Sequence, residues 1–254
     1  MFQSNIGGGD ADHITIRGYD LVDDLIDQRD FIDVLCLTVL GRFPDANQRR
    51  MINMFLVTAA DHGLTPSALA ARLTLHGAPE SMQGAVAAGI LGAGSRFLGV
   101  VEYAARFLQQ AVADFSGDAH DSAALDAHAE QVIRRERQAR RRVPGIGHPI
   151  HVQNDPRCDK ILAVAADCGY HGAHCRYALA LAQAAARVFG TPVPLNATGA
   201  KAAVLLDMDF SPEFGKGMTL IGRVAGLIAH VIEERERPIS QEVWDIASGN
   251  AKAG

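Results

Sequence analysis

The stretch Val-Pro-Gly-Ile-Gly-His-Pro-Ile-His at residues 143–151 is followed closely by Asn-Asp-Pro-Arg at residues 154–157. Glycine and proline both disfavour a continuous helix, so this stretch predicts a bend in the backbone. The bend carries His148, and the proline turn after it carries Arg157. An imidazole can polarise a carbonyl or hydroxyl oxygen, and a guanidinium can grip a carboxylate. Together they predict a pocket for a small acid that also carries a reactive oxygen.

On both sides of this bend, the chain shows the periodicity of helices. Apolar residues recur at three- and four-residue spacing, which is typical of helices with one face in a core. Only residues 14–17 alternate in the manner of a strand, and that segment is very short. The sequence therefore predicts an all-α fold. The predicted helices cover residues 20–40, 47–60, 67–75, 79–92, 99–115, 123–142, 161–168, 173–189, 200–207 and 216–236.

Composition narrows the class of protein. The chain has 254 residues, of which 48% are hydrophobic, so it can form a sizeable core. Its formal net charge of −5 gives no reason to expect nucleic-acid binding. No segment reaches the roughly 20 apolar residues of a membrane span, so no membrane contact is expected. The four cysteines lack paired spacing, which favours reduced thiols in a cytoplasmic protein.

Six arginines lie between Arg134 and Arg142, directly before the bend. One interpretation is a solvated helix end, where the helix dipole favours cations. The other is an anchor for the phosphates of a nucleotide-bearing cofactor. The bend itself could be an ordinary surface turn, or its backbone amides could contact an adenine or phosphate group. The candidate cofactor-binding residues are Pro144, Gly145, Ile146 and Gly147.

Motifs spread from about residue 14 to residue 244 resemble one known family. They include Ile-Arg-Gly-Tyr-Asp at 16–20, Ala-Asp-His-Gly at 60–63, Gly-Ile-Gly-His-Pro at 145–149, Asp-Pro-Arg at 155–157 and Ile-Gly-Arg at 221–223. Through them the chain is similar to the citrate synthase superfamily, and within it to the citryl-CoA lyase branch. That branch includes the C-terminal module of ATP-citrate lyase. Arg96-Phe97 stands where synthases carry a histidine, and this favours lyase over synthase.

The resemblance implies an all-α, citrate synthase-like fold with two lobes. The large lobe would contain residues 14–99 and 205–254, and the small lobe residues 100–204. Residues 1–13, which are rich in glycine and acids, are expected to form a mobile tail. The resemblance also implies a homodimer or a higher homo-oligomer.

Individual roles follow from the same resemblance. His148 and His62 would contact the carbonyl or hydroxyl oxygen of the substrate, and Arg157 and Arg223 would hold its carboxylates. Arg237 would correspond to a third arginine, which in the family reaches across a dimer. The implied reaction cleaves a carbon–carbon bond in a hydroxyacyl thioester of coenzyme A that carries carboxylates. Its products are a keto acid and an acyl-CoA such as acetyl-CoA, and no metal is expected.

One departure from the family concerns proton transfer. The family's Asn-Val-Asp-Gly supplies an aspartate that moves the proton on the acetyl carbon, whereas this chain has Asn-Ala-Thr-Gly at 196–199. Thr198 thus replaces the aspartate, and a threonine hydroxyl is a poor base near neutral pH. Two alternatives to a lyase follow. The protein could be a catalytically lapsed homologue that binds or senses a CoA thioester, or a condensing acyltransferase of the synthase type.

Overall fold

The computed structural model describes residues 4–96, 98–118, 120–147 and 152–250. Its secondary structure is almost entirely helical, in agreement with the predicted all-α class. The chain divides into two compact units, Met1–Met54 and Phe55–Gly254. Within the described residues, no helix combines the length and the apolar character that crossing a membrane requires.

The first unit begins with a small antiparallel sheet. Strands β1 (Gly7–Gly9), β2 (Ile14–Ile16) and β3 (Tyr19–Asp20) pair in the order β1-β2-β3. The sequence predicted only the middle strand. Strand β1 consists of three glycines, so it has no alternating side chains by which a strand could be recognised. It lies in the segment that was expected to form a mobile tail.

The single helix predicted over residues 20–40 is wrong. The structure has a short π-helical segment at Leu21–Leu25 and then α1 at Phe31–Leu40. The side chain of Asp30 accepts the backbone N–H of Asp33 and thereby starts α1 as its N-cap. Aspartate is a favoured N-cap residue, so its local hydrogen bond opposes a helix running through this position.

Helix α2 (Ala46–Ala59) spans the boundary, and the second unit contains the remaining helices. Several begin where a serine, threonine, aspartate or asparagine side chain accepts an N–H of the first turn. The predicted helices of this unit are present with shifted ends, and α11 was not predicted. The helices are α3 (Pro66–Gly77), α4 (Met82–Leu91), α5 (Val100–Ala113), α6 (Ser122–Gln138), α7 (Pro156–Asp167), α8 (Ala173–Phe189), α9 (Ala197–Asp207), α10 (Pro212–Glu236) and α11 (Ser240–Ala247).

Helix α9 lies at the centre of the second unit. It packs against α5, α7, α8 and α10, and residues 199–206 are all buried. Apart from Lys201, residues 199–206 are small or apolar on every side of the helix, which is typical of a core helix. It begins at Ala197, three residues earlier than predicted, because the Asn196 side chain accepts the N–H groups of Thr198 and Gly199. Thr198 therefore lies in the first turn of a buried helix.

Candidate functional site

The predicted bend at residues 144–147 is a loop held against the start of α9. The Gly145 carbonyl accepts the N–H of Asn196 at 3.0 Å, and the Gly147 N–H donates to the Pro194 carbonyl at 2.7 Å. The Asn196 side-chain amide also donates to the Gly147 carbonyl at 2.7 Å. The two glycines have φ angles of +84° and +80°. This left-handed conformation costs glycine little, which explains why these two positions lack side chains.

Asp155 connects Arg157 to the beginning of α9. Its carboxylate is 0% exposed and accepts Nε and Nη2 of Arg157, each at 2.9 Å. It also accepts the backbone N–H of Ala197 at 2.9 Å. Burial alone would raise the pKa of Asp155, but the hydrogen bonds from Arg157 and Ala197 outweigh it and lower the pKa to about 2. Asp155 is therefore ionised, and it holds the Arg157 guanidinium beside the first turn of α9.

Arg223 projects from α10 in a buried setting, with 6% of the residue exposed. Its Nε donates to the Ala59 carbonyl at the end of α2, at 2.9 Å. Burial lowers the pKa of Arg223, whereas the charge of nearby Asp61 favours the cationic form. Within the described ranges, no carboxylate forms an ion pair with Arg223. A buried guanidinium without such a partner is suited to an acidic ligand.

A polar network fixes the loop that carries His62. Arg72 donates through Nε to Nδ1 of His230 at 3.2 Å and through Nη1 to Glu234 at 2.8 Å. Because Nδ1 accepts from an arginine, the proton of a neutral His230 lies on Nε2, which is 3.0 Å from a carboxylate oxygen of Asp61. His62 follows Asp61 directly and is exposed. The network therefore restrains the backbone of this loop and leaves the His62 imidazole accessible.

Thr198 and Lys201 lie on one face of α9, because residues three apart in a helix are neighbours. Thr198 is half-buried, whereas Lys201 is only 9% exposed. Burial, together with the positive charges of Arg157 and Arg223, lowers the pKa of Lys201 to about 8. Cations from α7, α9 and α10 are thus close enough for their charges to act on one another. In the part of the chain that the structure describes, no carboxylate pairs with Lys201.

Lys201 was not predicted as a site residue, although the sequence contained a signal. Residues 199–206 read Gly-Ala-Lys-Ala-Ala-Val-Leu-Leu, in which one lysine interrupts an otherwise apolar run. Lysine is almost never fully buried unless it is paired. A lysine within a predicted core helix is therefore a candidate functional residue.

Three predicted site residues are not shown to join the cations around Lys201. His62 is exposed and has no hydrogen bond or ion pair to them among the described residues. Arg237 is exposed at the C-terminal end of α10, where its backbone N–H bonds to the Glu233 carbonyl. His148 lies outside the described residues, so its predicted contact with the substrate oxygen stays a prediction.

A cleft of about 1330 Å³ opens beside the loop at residues 144–147. Helix α6 ends at Gln138, so three of the lining arginines follow the helix rather than lying in its last turn. Glu136, the one acidic residue among the described lining residues, accepts two hydrogen bonds from Arg141. The excess of guanidinium groups makes the cleft suitable for phosphates. The lining arginines are Arg96, Arg137, Arg140, Arg141 and Arg142.

The histidines and cysteines at residues 168–175 have structural contacts. Nδ1 of His174 lies 2.9 Å from a carboxylate oxygen of Asp207. The same carboxylate accepts the backbone N–H groups of Gly172 and Cys175, so it caps the N-terminus of α8. Among the residues with a described structure, no three histidine, cysteine, aspartate or glutamate side chains are grouped to hold a metal ion.

Comparison with known proteins identifies related sequences and folds. The family model described as citrate synthase, C-terminal domain, matches residues 27–241. Comparison with curated protein sequences gives no match. Among solved structures, citryl-CoA lyase from Hydrogenobacter thermophilus is 33% identical and superimposes with a TM-score of 0.80. The match covers 92% of this chain and 87% of that chain.

Two further solved structures share the fold at lower identity. ATP citrate lyase from Methanothrix soehngenii, solved with citrate and coenzyme A, is 22% identical with a TM-score of 0.76. That match covers 92% of this chain and 39% of the lyase chain. Citrate synthase from Thermoplasma acidophilum is 19% identical with a TM-score of 0.65, over 82% of this chain and 54% of the synthase. The predicted citrate synthase-like, all-α fold is confirmed.

Proposed function

Because the chain belongs to the citrate synthase family, we propose that it cleaves a carbon–carbon bond in a hydroxyacyl thioester of coenzyme A that carries carboxylates. The products are a keto acid and an acyl-CoA such as acetyl-CoA. The observation that carries this proposal is the likeness to a citryl-CoA lyase at 33% identity over 92% of the chain. The cationic site at the start of α9 supports it.

Arg157 and Arg223 supply the contacts for the acid. Both are guanidinium groups, which bind carboxylates through paired, charge-assisted hydrogen bonds. The positive charges of both help to lower the pKa of Lys201, which supports a common site for them in the second unit. A substrate with more than one carboxylate would neutralise this positive group, which lacks an equal number of protein carboxylates in the described residues.

The reaction requires two proton transfers. His148 or His62 takes the proton of the substrate hydroxyl, and the oxygen forms a carbonyl as the bond to the thioester α-carbon breaks. The bonding electrons pass to the thioester as an enolate. The α-carbon then takes up a proton and becomes the acyl-CoA product. Thr198 would orient the enolate, and it is too weak an acid to be the donor.

The coenzyme A portion fits the arginine-lined cleft. Its phosphates would contact the arginines beyond α6, and the backbone of residues 144–147 would approach the remainder of the cofactor. In this proposal coenzyme A is part of the substrate, and the reaction needs no metal.

Arg237, exposed at the end of α10, would contact the substrate of a second copy of the chain in a homodimer. The four buried free cysteines fit a cytoplasmic protein.

Thr198 favours a second candidate, a protein that binds the thioester without cleaving it. The hydroxyl lacks the acid–base strength of a carboxylate, and loss of one acid–base group commonly costs about 10²–10⁴ in rate. A sensor of this kind would keep the arginines and the cleft. The lyase and the sensor would therefore differ in the rate at which they cleave the thioester and not in their affinity for it.

The test is incubation of the protein with citryl-CoA, followed by assays of oxaloacetate and acetyl-CoA. The lyase proposal expects both products in equal amounts and a large loss of affinity in the Arg223→Met variant. Arg134→Met is a matched control, because Arg134 is exposed and bonds Glu130 on the same helix. Absence of product from both the wild type and Thr198→Asp would exclude citryl-CoA as substrate. Thermal stabilisation by citryl-CoA without product would support the sensor.

A further inference from the structure

Cleavage beside a thioester leaves an enolate whose α-carbon must receive a proton. The described groups around the start of α9 include few acids that could supply it. Asp155 is ionised and accepts hydrogen bonds from Arg157 and Ala197. Arginine keeps its protons in proteins, and a threonine hydroxyl is a very weak acid. His62 is assigned to the proton of the substrate hydroxyl, so among the described groups the Lys201 ammonium is the candidate donor to the carbon.

Lys201 has a position that suits proton transfer to this α-carbon. It lies three residues after Thr198 on the same face of α9. Long side chains on an α-helix lean towards its N-terminus and cover the surface over the preceding turn. This geometry directs the Lys201 side chain towards the level of Thr198, and the positive charges of Arg157 and Arg223 act on its ammonium.

Lys201 also lacks a structural partner that would explain its burial. It is 9% exposed, and no hydrogen bond or ion pair joins it to a carboxylate in the described part of the chain. A buried ammonium without a counter-charge is costly, and apolar side chains surround it along α9. Methionine at this position would fill similar space without that cost. The positive charge is thus better explained by the reaction than by the packing.

We propose that Lys201 is the proton donor to the α-carbon of the acyl-CoA enolate. This inference rests on the proposed lyase function. One N–H bond of the ammonium breaks and one C–H bond forms at the α-carbon, while the enolate electrons make that new bond. The neutral amine then regains the proton that left the substrate hydroxyl, or one from water, so nothing is oxidised or reduced. Because the Lys201 pKa lies at about 8, both protonation states are accessible near neutral pH.

The first experiment compares Lys201→Met and Lys201→Arg in the cleavage of citryl-CoA. Arginine keeps the positive charge but does not give up a proton. A donor role therefore expects both variants to lose about 10²–10⁴ in kcat with little change in KM. A charge that only binds the substrate would be preserved by arginine and would act mainly on KM. Lys201→Arg at the wild-type kcat, or a Lys201→Met effect confined to KM, would overturn the proposal.

Two controls separate chemistry from folding. Lys160→Met removes an exposed lysine of α7 and should leave kcat unchanged. Thr198→Asp added to Lys201→Met supplies a carboxyl group one turn away, and it should restore part of the lost rate. Circular dichroism and melting temperature should show the Lys201→Met fold intact, because the substitution removes a buried charge.

A second experiment tests the role of Lys201 without relying on the cleavage of citryl-CoA. Acetyl-CoA is incubated in D₂O with oxaloacetate, and exchange of its methyl protons is followed by mass spectrometry. The wild type could fail to cleave citryl-CoA and still exchange the methyl protons in a way that requires Lys201. This result would support Lys201 as the proton donor and exclude citryl-CoA as the substrate. If the wild type and both variants cleave citryl-CoA at equal rates, Lys201 is excluded as the proton donor and the lyase function is supported. Neither cleavage nor exchange by the wild type would overturn both proposals.

Discussion

The backbones of Gly145 and Gly199 touch, so that a Cβ atom on Gly145 would lie 2.6 Å from the Cα of Gly199. A Cβ on Gly199 would in turn collide with the Gly145 carbonyl oxygen. The cleft loop therefore rests directly on the first turn of α9, with no side chain between them. The helix that carries Thr198 and Lys201 and the loop assigned to coenzyme A depend on each other for their positions.

Substitution of Gly199 by alanine should separate these two backbones. Overpacking of this kind commonly costs about 1–3 kcal/mol, and we expect a loss of stability in this range together with lower cleavage activity. Gly217→Ala is the matched control, because Gly217 also lies within a helix but a Cβ added there would point into open space. That control should be neutral or stabilising by up to about 1 kcal/mol. Equal urea midpoints for the two variants would contradict the close contact.

Asp155→Asn should weaken the connection between Arg157 and α9. The folded-state pKa of Asp155 is about 2, below its ordinary value of 3.8. A lowered carboxyl pKa stabilises the fold above the unfolded value, and this stability is lost as the pH falls through the folded value. We expect Asp155→Asn to cost about 2 kcal/mol at pH 7. The difference from the wild type should disappear between pH 4 and pH 2, as measured by urea unfolding at each pH. A difference that stays constant over this range would contradict the assignment.

The backbone of the candidate site was predictable where local chemistry decides it. Glycine and proline require a bend at residues 144–147, and the structure has one, with both glycines in the left-handed region. Arg157 was predicted from the proline turn and Arg223 from motif resemblance, and the positive charges of both act on one buried lysine. Lys201 was missed because burial is a property of tertiary packing. Only the position of α9 among four other helices shows that this lysine is enclosed.

The errors in the fold have local causes. The predicted helix at residues 20–40 followed apolar spacing, but the capping hydrogen bond of Asp30 starts a new helix at Phe31. Strand β1 has only glycines and therefore no pattern to recognise. Helix α9 begins earlier than predicted. The periodicity of its apolar residues does not show that Asn196 is the N-cap. In each case a backbone or capping interaction decides an end that side-chain periodicity leaves open.

The arginine-lined cleft predicts a salt-dependent affinity for coenzyme A. Loss of one charge-assisted contact costs about 1.5–3 kcal/mol, so Arg142→Gln should weaken binding by roughly tenfold or more. Arg134→Gln should bind as the wild type does, since Arg134 does not line the cleft. Calorimetry at two salt concentrations should also show a smaller salt dependence for Arg142→Gln. If Arg142→Gln binds normally, the arginines beyond α6 are a solvated chain segment and not a phosphate anchor.

Lys201 predicts an unusual dependence of stability on alkaline pH. Its pKa is lowered from 10.5 to about 8 by burial and by the charges of Arg157 and Arg223, neither of which loses its proton in this range. Below pH 8 both the folded and the unfolded chain carry the lysine proton. Between pH 8 and pH 10.5 the unfolded chain binds more protons than the folded one, so stability rises with pH. Relative to Lys201→Met, the wild type should gain up to about 3 kcal/mol over this interval. Urea midpoints of both proteins at pH 7, 8, 9 and 10 measure this gain, and a constant difference would mean that Lys201 keeps its proton throughout.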